Sequence, residues 1–431
     1  MGQEGERIRV FMLGWEFPPF ISGGLGTACY GLTRALDEIG IRVTFVLPRM
    51  VEGEYTTHVR LLTPGSQLSA PAHEATKFKS LRFRTIPSAL QPYATPDVYR
   101  QRVERSLRLR RQLGGSPEPI GGIDYNSDMC TEVHRYAAMA VELAQFEEFD
   151  IVHAHDWMTY PAAMAVATMC GRPLVVHVHS TEFDRSGEHV NQMVYDIERA
   201  GMERADKVIA VSHFTRNIII SRYGISGDKV EVVYNGVERN GSWPLTEVGI
   251  KKDERIVLFL GRITMQKGPE YFLYAAKKVL EVMDNVKFVM AGSGDMMYRT
   301  IELAAHLGIG HKVLFTGFLR GEDVNKIYKM ADLYVMPSVS EPFGIAPLEA
   351  LDNDVPVIIS KQSGVSEVLT HALKVDFWDV DEIANKVVAV LKYPPLQLTL
   401  RSHGNSEVRK LRWKDSARKC AKIYEDMLVG V

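Results

Sequence analysis

The chain has 431 residues, 46% hydrophobic and 24% charged, with a formal net charge of −2. That length exceeds one ordinary hydrophobic core and predicts two or three domains. The balanced composition excludes a disordered or collagen-like chain, and the near-neutral charge argues against nucleic acid as an obligatory partner.

The four cysteines, Cys29, Cys130, Cys170 and Cys420, are scattered and include no C-x-x-C. They form neither a disulfide framework nor a thiolate metal site, which points to a reducing, cytoplasmic setting. No secretory leader or membrane span is expected. Val10–Trp15 is short and is followed by Glu16 and two prolines, and Pro161–Cys170 falls below the ~18 residues a span requires. The latter stretch reads as a buried helix rich in alanine and methionine.

In chain order, the first strand is expected at Arg9–Gly14, followed by the glycine turn of "FISGGLGTACYGLTRAL" and an amphipathic helix. Glycine between a buried strand and a helix lets the backbone approach a phosphate on the helix's free N–H groups, or allows close strand–helix packing. The spacing is neither G-x-G-x-x-G nor a P-loop, so this stretch by itself leaves both readings open.

Further strands are expected at Arg42–Leu47, Ile151–Ala154, Leu174–His179, Lys207–Val211 and Val230–Tyr234. Residues 51–125 read as irregular, with several prolines and an arginine-dense run from Arg100 to Arg111. That run reads as a solvated helix face in preference to an anion or polymer contact on a lid. His153 and His155, and likewise His177 and His179, recur at strand period, so each pair shares a sheet face. The metallo-hydrolase pattern H-x-H-x-D-H fails because Asp156 directly follows His155, so these histidines read as satisfied or sugar-contacting.

A polar, glycine-containing segment around Asn235–Gly249 reads as a linker, after which the pattern restarts. Strands are expected at Ile256–Gly261, Val286–Ala291, Lys312–Thr316, Leu333–Met336, Val355–Ser360 and Leu373–Val375. Short β-branched runs alternating with helices specify parallel sheets covered on both faces. Two α/β domains follow, with ligands expected at the strands' carboxyl ends and closure over the ligand across the linker.

In "LFLGRITMQKG" a strand end is followed by Arg262 and Lys267. In "SVSEPFGIAPLEAL", Glu341 lies in a loop, Gly344 at a helix start, Pro347 in the opening turn and Glu349 in the early turns. Two cations, two carboxylates and helix N-termini at one mouth suit a diphosphate sugar. Arg and Lys neutralise phosphates, and carboxylates accept hydrogen bonds from sugar hydroxyls. The triplets Asp352-Asn353-Asp354 and Asp379-Val380-Asp381 read as helix punctuation rather than metal ligands.

The glycine pair, "HAHDWMTYPA", "GRITMQKG" and the Glu-x7-Glu of "EPFGIAPLE" resemble the retaining glycosyltransferases of family four, leaning toward bacterial and archaeal glycogen (starch) synthases. The resemblance spans nearly the whole chain. It implies the GT-B fold: two Rossmann-like doubly wound α/β domains facing across a cleft, residues 1–240 on the acceptor side and 250–412 binding the nucleotide sugar. Residues 413–431, including "WKDSARKCAKIYEDML", are implied to form a helix returning to the first domain.

The resemblance also implies roles. Arg262 and Lys267 bind the donor diphosphate, Glu341 sits by the donor sugar and Glu349 holds the nucleotide ribose. Gly23, Gly24, Phe343, Gly344 and Ile345 offer backbone amides to phosphate and sugar, and His155 contacts the sugar's primary hydroxyl. The implied activity is hexosyl transfer from a nucleotide-sugar donor to a glycan acceptor, without a cofactor or metal, the two cations replacing the D-x-D-bound ion of other transferases. One departure stands out: where ADP-glucose enzymes carry lysine in K-x-G-G-L, this chain has Ile21. UDP- or GDP-sugar-dependent synthesis of cell-surface polysaccharide is therefore the alternative. A nucleotide-sugar 2-epimerase and a metal-dependent hydrolase are more distant ones.

Overall fold

The computed structural model describes residues 8–17, 23–49, 81–87, 125–237 and 254–429. Ile21, the Arg100–Arg111 run and residues 238–253 of the linker lie outside the described residues.

The first sheet contains β1 (Arg9–Leu13), β2 (Arg42–Arg49), β3 (Leu81–Pro87), β4 (Ile151–His155), β5 (Leu174–Val178), β6 (Lys207–Ala210) and β7 (Val230–Val232). Their order is β3-β2-β1-β4-β5-β6-β7, and every pair is parallel. The second contains β8 (Arg255–Leu260), β9 (Val286–Ala291), β10 (Val313–Gly317), β11 (Leu333–Met336), β12 (Val357–Ser360) and β13 (Leu373–Val375). Its order is β10-β9-β8-β11-β12-β13, also wholly parallel. β4 and β5 are buried at every position, as strands covered on both faces must be.

Two expectations need correction. Residues 51–125 are not irregular throughout, because β3 adds a seventh strand in register with β2 from Val43–Leu81 to Arg49–Pro87. Its "LRFR" alternates apolar and polar residues, the period of an edge strand, and the arginines and nearby prolines mask that signal. The helix Tyr160–Cys170 is only half core: Tyr160, Ala162, Ala163 and Val166 are buried, but Met169 is 67% exposed.

In each sheet the chain winds outward one way and then the other, reversing between β1 and β4 and between β8 and β11. Loops leaving the strand ends on either side of such a reversal diverge and leave a crevice. Those loops carry Gly23–Gly24 and Asp156 in one domain, and Arg262–Lys267 and Glu341–Gly344 in the other.

The two sheets are joined by direct contacts. Ser212 Oγ donates to the Pro342 carbonyl at 2.5 Å, and Ser340 Oγ to Asp184 Oδ1 at 2.5 Å. Glu367 of the second domain accepts from the His213 and Phe214 amides (2.9 and 2.6 Å) and from the Tyr234 hydroxyl (3.0 Å). It thus covers the N-terminus of the helix His213–Tyr223 in the first domain.

The last helix, Trp413–Val429, packs on the first domain. Trp413, Ala417, Cys420, Ile423 and Tyr424 follow helical spacing and join the core of the first sheet. Ser416 Oγ donates to the Tyr234 carbonyl at 2.6 Å, securing the crossing. Among the described residues no helix is long and apolar enough to cross a membrane.

Candidate active site at the paired sheet reversals

The Lys267 turn is built by backbone. After β8, Ile263 N–H donates to the Ser293 carbonyl and accepts, through its own carbonyl, from Met296 N–H, which fixes the Arg262 loop. A single helical turn, Met265–Lys267, ends at Gly268 (φ 64°). A Cβ at Gly268 would lie 2.1 Å from the Pro337 carbonyl oxygen, so this turn approaches the end of β11 as only glycine allows. Val339 N–H donates to the Gln266 carbonyl at 2.9 Å, stitching the two loops together.

This brings Lys267 and Glu341, far apart in sequence, into a direct ion pair, with Ser338 Oγ donating to the same carboxylate oxygen at 3.2 Å. Glu341 is 6% exposed, and the Lys267 side chain retains 20% exposure. Arg262 is half-buried, its Nη2 donating to Gln266 Oε1 at 3.3 Å.

Gly344 (φ 104°) opens the helix Ile345–Asp352, whose N-terminus has no side-chain cap. The first-turn amides of such a helix have no intrahelical acceptor and point toward an anion. Phe343 itself is buried, its ring 6.0 Å from Tyr234. Glu349 lies in the second turn, half-buried, and accepts from the Tyr328 hydroxyl at 3.1 Å. Burial raises its pKa above the usual carboxylate range; the Tyr328 bond opposes this and Asp352 adds to it. Tyr334 sits near both carboxylates: burial, then Glu341 and Glu349, push its phenol well up.

The D-x-D triplets sit at helix boundaries. Asp379 caps the helix Val380–Lys392 by accepting from Glu382 N–H at 2.9 Å, and Asp354 accepts from Asn405 at 3.2 Å.

On the first-domain wall, Gly23 precedes the helix Gly24–Glu38 as its N-cap residue. The amides here are not all free, because the buried carboxylate of Glu16 accepts from Gly26 N–H at 3.1 Å. A Cβ on Gly24 meets nothing within 4 Å among the described residues, so close packing does not require glycine at that position. Gly24→Ala is accordingly expected to fold with an unchanged or slightly raised melting temperature, since alanine favours a helix by about 0.5–1 kcal/mol. If a ligand approaches this backbone, the same variant loses anionic-ligand affinity, and calorimetry beside thermal melting separates the two effects.

His155 is placed differently from expectation. It ends β4 but has no exposed surface, enclosed among His153, His177 and His179 with ring centroids 4.6, 5.3 and 5.1 Å away. No ligand reaches its ring without side-chain movement. Its Nδ1 pairs with His179 Nε2 at 2.9 Å, and His179, only half-buried, is the outermost ring of the four. Burial, with His179 adding to it, holds His153 down to about 3, so its ring is neutral at physiological pH.

Asp156 follows at φ 60° and ψ 167°, a region that side chains other than glycine's rarely occupy. Its Oδ1 accepts from the His179 and Ser180 amides at 2.7 and 3.3 Å, and burial raises its pKa to about 7. This buttress leads into the helix Glu182–Ser186, which rests on the Glu341 loop through Asp184 and Ser340. Glu16, Asp184 and Glu367 were invisible to motif reading because their roles depend on how distant segments dock.

The second domain matches the family model "Glycosyl transferases group 1" over residues 246–406, and the first matches "Glycosyltransferase Family 4" over residues 118–240. An uncharacterized glycosyltransferase of Methanocaldococcus jannaschii is 30% identical over 97% of this chain and 98% of its own length. Glycogen synthase of Mycobacterium tuberculosis is 25% identical over 97% and 94%. Among solved structures, sucrose-phosphate synthase from Thermosynechococcus elongatus superposes with a TM-score of 0.72 at 18% identity, covering 99% of this chain and 100% of that one. Anabaena HepE, in complex with UDP and glucose, gives 0.70 at 17% identity over 97% and 100%.

Proposed function

Because the chain belongs to the family-four glycosyltransferases of GT-B fold, we propose that it moves a hexose, glucose in the first reading, from a nucleoside diphosphate sugar to a glycan acceptor with retention of configuration. One observation carries this reading: the Lys267–Glu341 pair and the uncapped helix Ile345–Asp352 meet at the β8/β11 reversal.

In this reading Arg262 and Lys267 neutralise the leaving diphosphate, doing what a D-x-D-bound ion does elsewhere, so turnover needs no added divalent cation. The Lys267 ammonium has three donors, so it can hold Glu341 and phosphate oxygens together. The amides near Phe343, Gly344 and Ile345 take the remaining phosphate charge, and those of Gly23 and Gly24 close from the opposite wall. Glu341 accepts from a donor-sugar hydroxyl, and Glu349 from the ribose. As the bond from the sugar's anomeric carbon to the phosphate oxygen breaks, the acceptor hydroxyl attacks from the same face and its proton passes to the departing phosphate. His155, buried behind His179 in the ligand-free protein, contacts the sugar's primary hydroxyl once the rings around it shift.

The second reading, a UDP- or GDP-sugar-dependent transferase of cell-surface polysaccharide, is favoured by Ile21 in place of the lysine of ADP-glucose enzymes. The UDP complex of HepE supports a UDP donor in the same sense. A donor-consumption screen across ADP-, UDP- and GDP-sugars, with and without glycogen and without added metal, tests both. Glycogen-stimulated release of nucleoside diphosphate supports the first reading. Turnover of a UDP- or GDP-sugar indifferent to glycogen supports the second, and consumption of none of the donors contradicts the proposal.

Glu349→Gln separates ribose binding from folding. A carboxylate whose pKa is raised by folding costs nothing below the ordinary carboxylate range and most above the raised value. At neutral pH the amide is therefore expected to raise the melting temperature of the ligand-free protein. That gain vanishes near pH 4, while nucleotide affinity falls about tenfold at neutral pH through loss of a charged acceptor. Thermal melting at both pH values, with nucleotide titration, checks it.

A further inference from the structure

A cavity of about 540 Å³ lies where the chain crosses between the domains, away from the paired sheet reversals. One wall is the C-terminal half of the helix Gly24–Glu38. The other is the turn from the helix Pro394–Val408 into Trp413–Val429, with Val237 and Asp352 beside it. A Cβ on Gly31 would lie 2.2 Å from the Trp413 indole, so glycine is what lets these walls approach. Val237 N–H donates to the Leu411 carbonyl at 3.0 Å and fixes the edge between them.

Four cations, Arg34, Arg409, Arg412 and Lys414, line the cavity with two carboxylates, Glu38 and Asp352. Arg34 lies 3.6 Å from Glu38. Arg409 is held in place, its Nε donating to Asn405 Oδ1 at 2.9 Å. Asn405 is 9% exposed and is itself anchored on the Leu351 carbonyl at 3.1 Å. Arg412 Nε donates to the Arg409 carbonyl at 3.3 Å. Among the described residues, the Nη groups of both arginines and the Lys414 ammonium have no partner.

We propose that this cavity binds a small phosphorylated sugar at a site separate from the donor cleft. Two guanidinium forks and an ammonium suit a phosphomonoester, which arginine holds through paired hydrogen bonds. The two carboxylates disfavour a further phosphate and accept from hydroxyls. The volume is that of a small-molecule site rather than of one phosphate, and Ala35, Val237 and Leu411 add apolar surface for a ring.

Two helices link this cavity to the cleft. Gly24–Glu38 starts at the Gly23–Gly24 turn and lines the cavity near its end; Ile345–Asp352 starts after Gly344 and ends at the cavity. At 1.5 Å per residue they span roughly 22 and 12 Å. A ligand tying Arg409 and Arg412 to Arg34 therefore biases how the two walls of the cleft stand, and linkage makes the two ligands change each other's affinity. This coupling rests on the proposed donor site; binding in the cavity does not.

The test titrates glucose 6-phosphate, glucose 1-phosphate, glucose and inorganic phosphate by calorimetry, at constant ionic strength. The full chain, R262A and an Arg409→Gln/Arg412→Gln variant are compared. At least one sugar phosphate is expected to bind wild type and R262A alike, about tenfold or more tighter than glucose or phosphate alone. Its affinity should fall about tenfold or more in the Arg409/Arg412 variant, with the melting temperature held because both side chains are exposed. Arg34→Gln, on the opposite wall, should weaken the same ligand and gives an independent reading. Saturating sugar phosphate should shift the affinity for UDP or ADP by about fivefold or more in wild type and not in the double variant.

Binding of neither sugar phosphate, or binding no tighter than that of inorganic phosphate, overturns the proposal. Binding lost in R262A but kept in the Arg409/Arg412 variant overturns it too, by placing the ligand in the donor cleft. A nucleotide affinity unmoved by saturating sugar phosphate overturns the coupling. If no nucleotide binds at all, the donor reading fails, while the cavity's ligand is still read directly.

Discussion

Replacing Lys267 by alanine, or Arg262 by alanine, is expected to lower turnover by about two to four orders of magnitude, with a smaller loss in donor affinity. Both side chains stand where charge grows as the diphosphate departs, so their interaction is stronger in the transition state than in the ground state. Lys267 is the more informative position because it is paired with Glu341 in the ligand-free protein. Its removal leaves a carboxylate buried beside Ser338, facing an incoming phosphate, so K267A is expected to lose more donor affinity than R262A. Steady-state kinetics on each variant gives the comparison. Near-normal turnover in either would remove that residue from the diphosphate site.

The largest expected effect on stability lies in the other wall. Glu198→Ala is expected to destabilise the first domain by about 3–5 kcal/mol, because it removes one of the two carboxylates on a buried guanidinium and leaves the Tyr223 hydroxyl and Glu182 N–H without their acceptor. Arg185 is paired with both Glu198 and Glu182, and these three side chains are 16%, 3% and 7% exposed. The same Glu198 carboxylate accepts from the Tyr223 hydroxyl and, at 3.0 Å, from Glu182 N–H. The two carboxylates hold Arg185 firmly protonated against its desolvation.

This network shapes the helix Glu182–Ser186, whose Asp184 meets Ser340 next to Glu341. Activity should therefore fall in Glu198→Ala well below its melting temperature. Replacing Arg185 and Glu198 by methionine and Glu182 by glutamine together should cost less than the single change, since no charge of the triad is left unpaired. Urea unfolding of the three proteins measures this; a single-variant loss within about 1 kcal/mol would show that the network carries little of the domain's stability.

The sheets were legible because parallel strands covered on both faces read as continuous apolar runs, as in Val10–Leu13 and Val286–Ala291 with its single lysine. All six strands of the second domain were anticipated, within two residues at most ends. β3 escaped because an edge strand alternates, and Arg82 and Arg84 among nearby prolines read as loop. At the site, Arg262, Lys267, Glu341 and Gly344 were legible from local spacing, since each lies just past a strand end. Their pairing was not, because the Lys267–Glu341 contact depends on Gly268 settling against Pro337. His155 shows the opposite failure: its motif located it on the right strand, but burial depends on Phe45 and the neighbouring histidines. The contacts of Asp184 with Ser340 and of Glu367 with His213 exist only once the two domains dock, and no single-segment pattern encodes them.

The central claim is that a nucleoside diphosphate sits at the β8/β11 reversal, held by Arg262 and Lys267. Calorimetric titration of UDP, UMP, ADP and AMP into the wild-type protein and into R262A and K267A tests it most directly. The account predicts that at least one diphosphate binds more tightly than its monophosphate, and that this preference shrinks in both variants while monophosphate affinity changes little. Equal affinity for diphosphate and monophosphate in the wild type, or a preference untouched by either substitution, would contradict it.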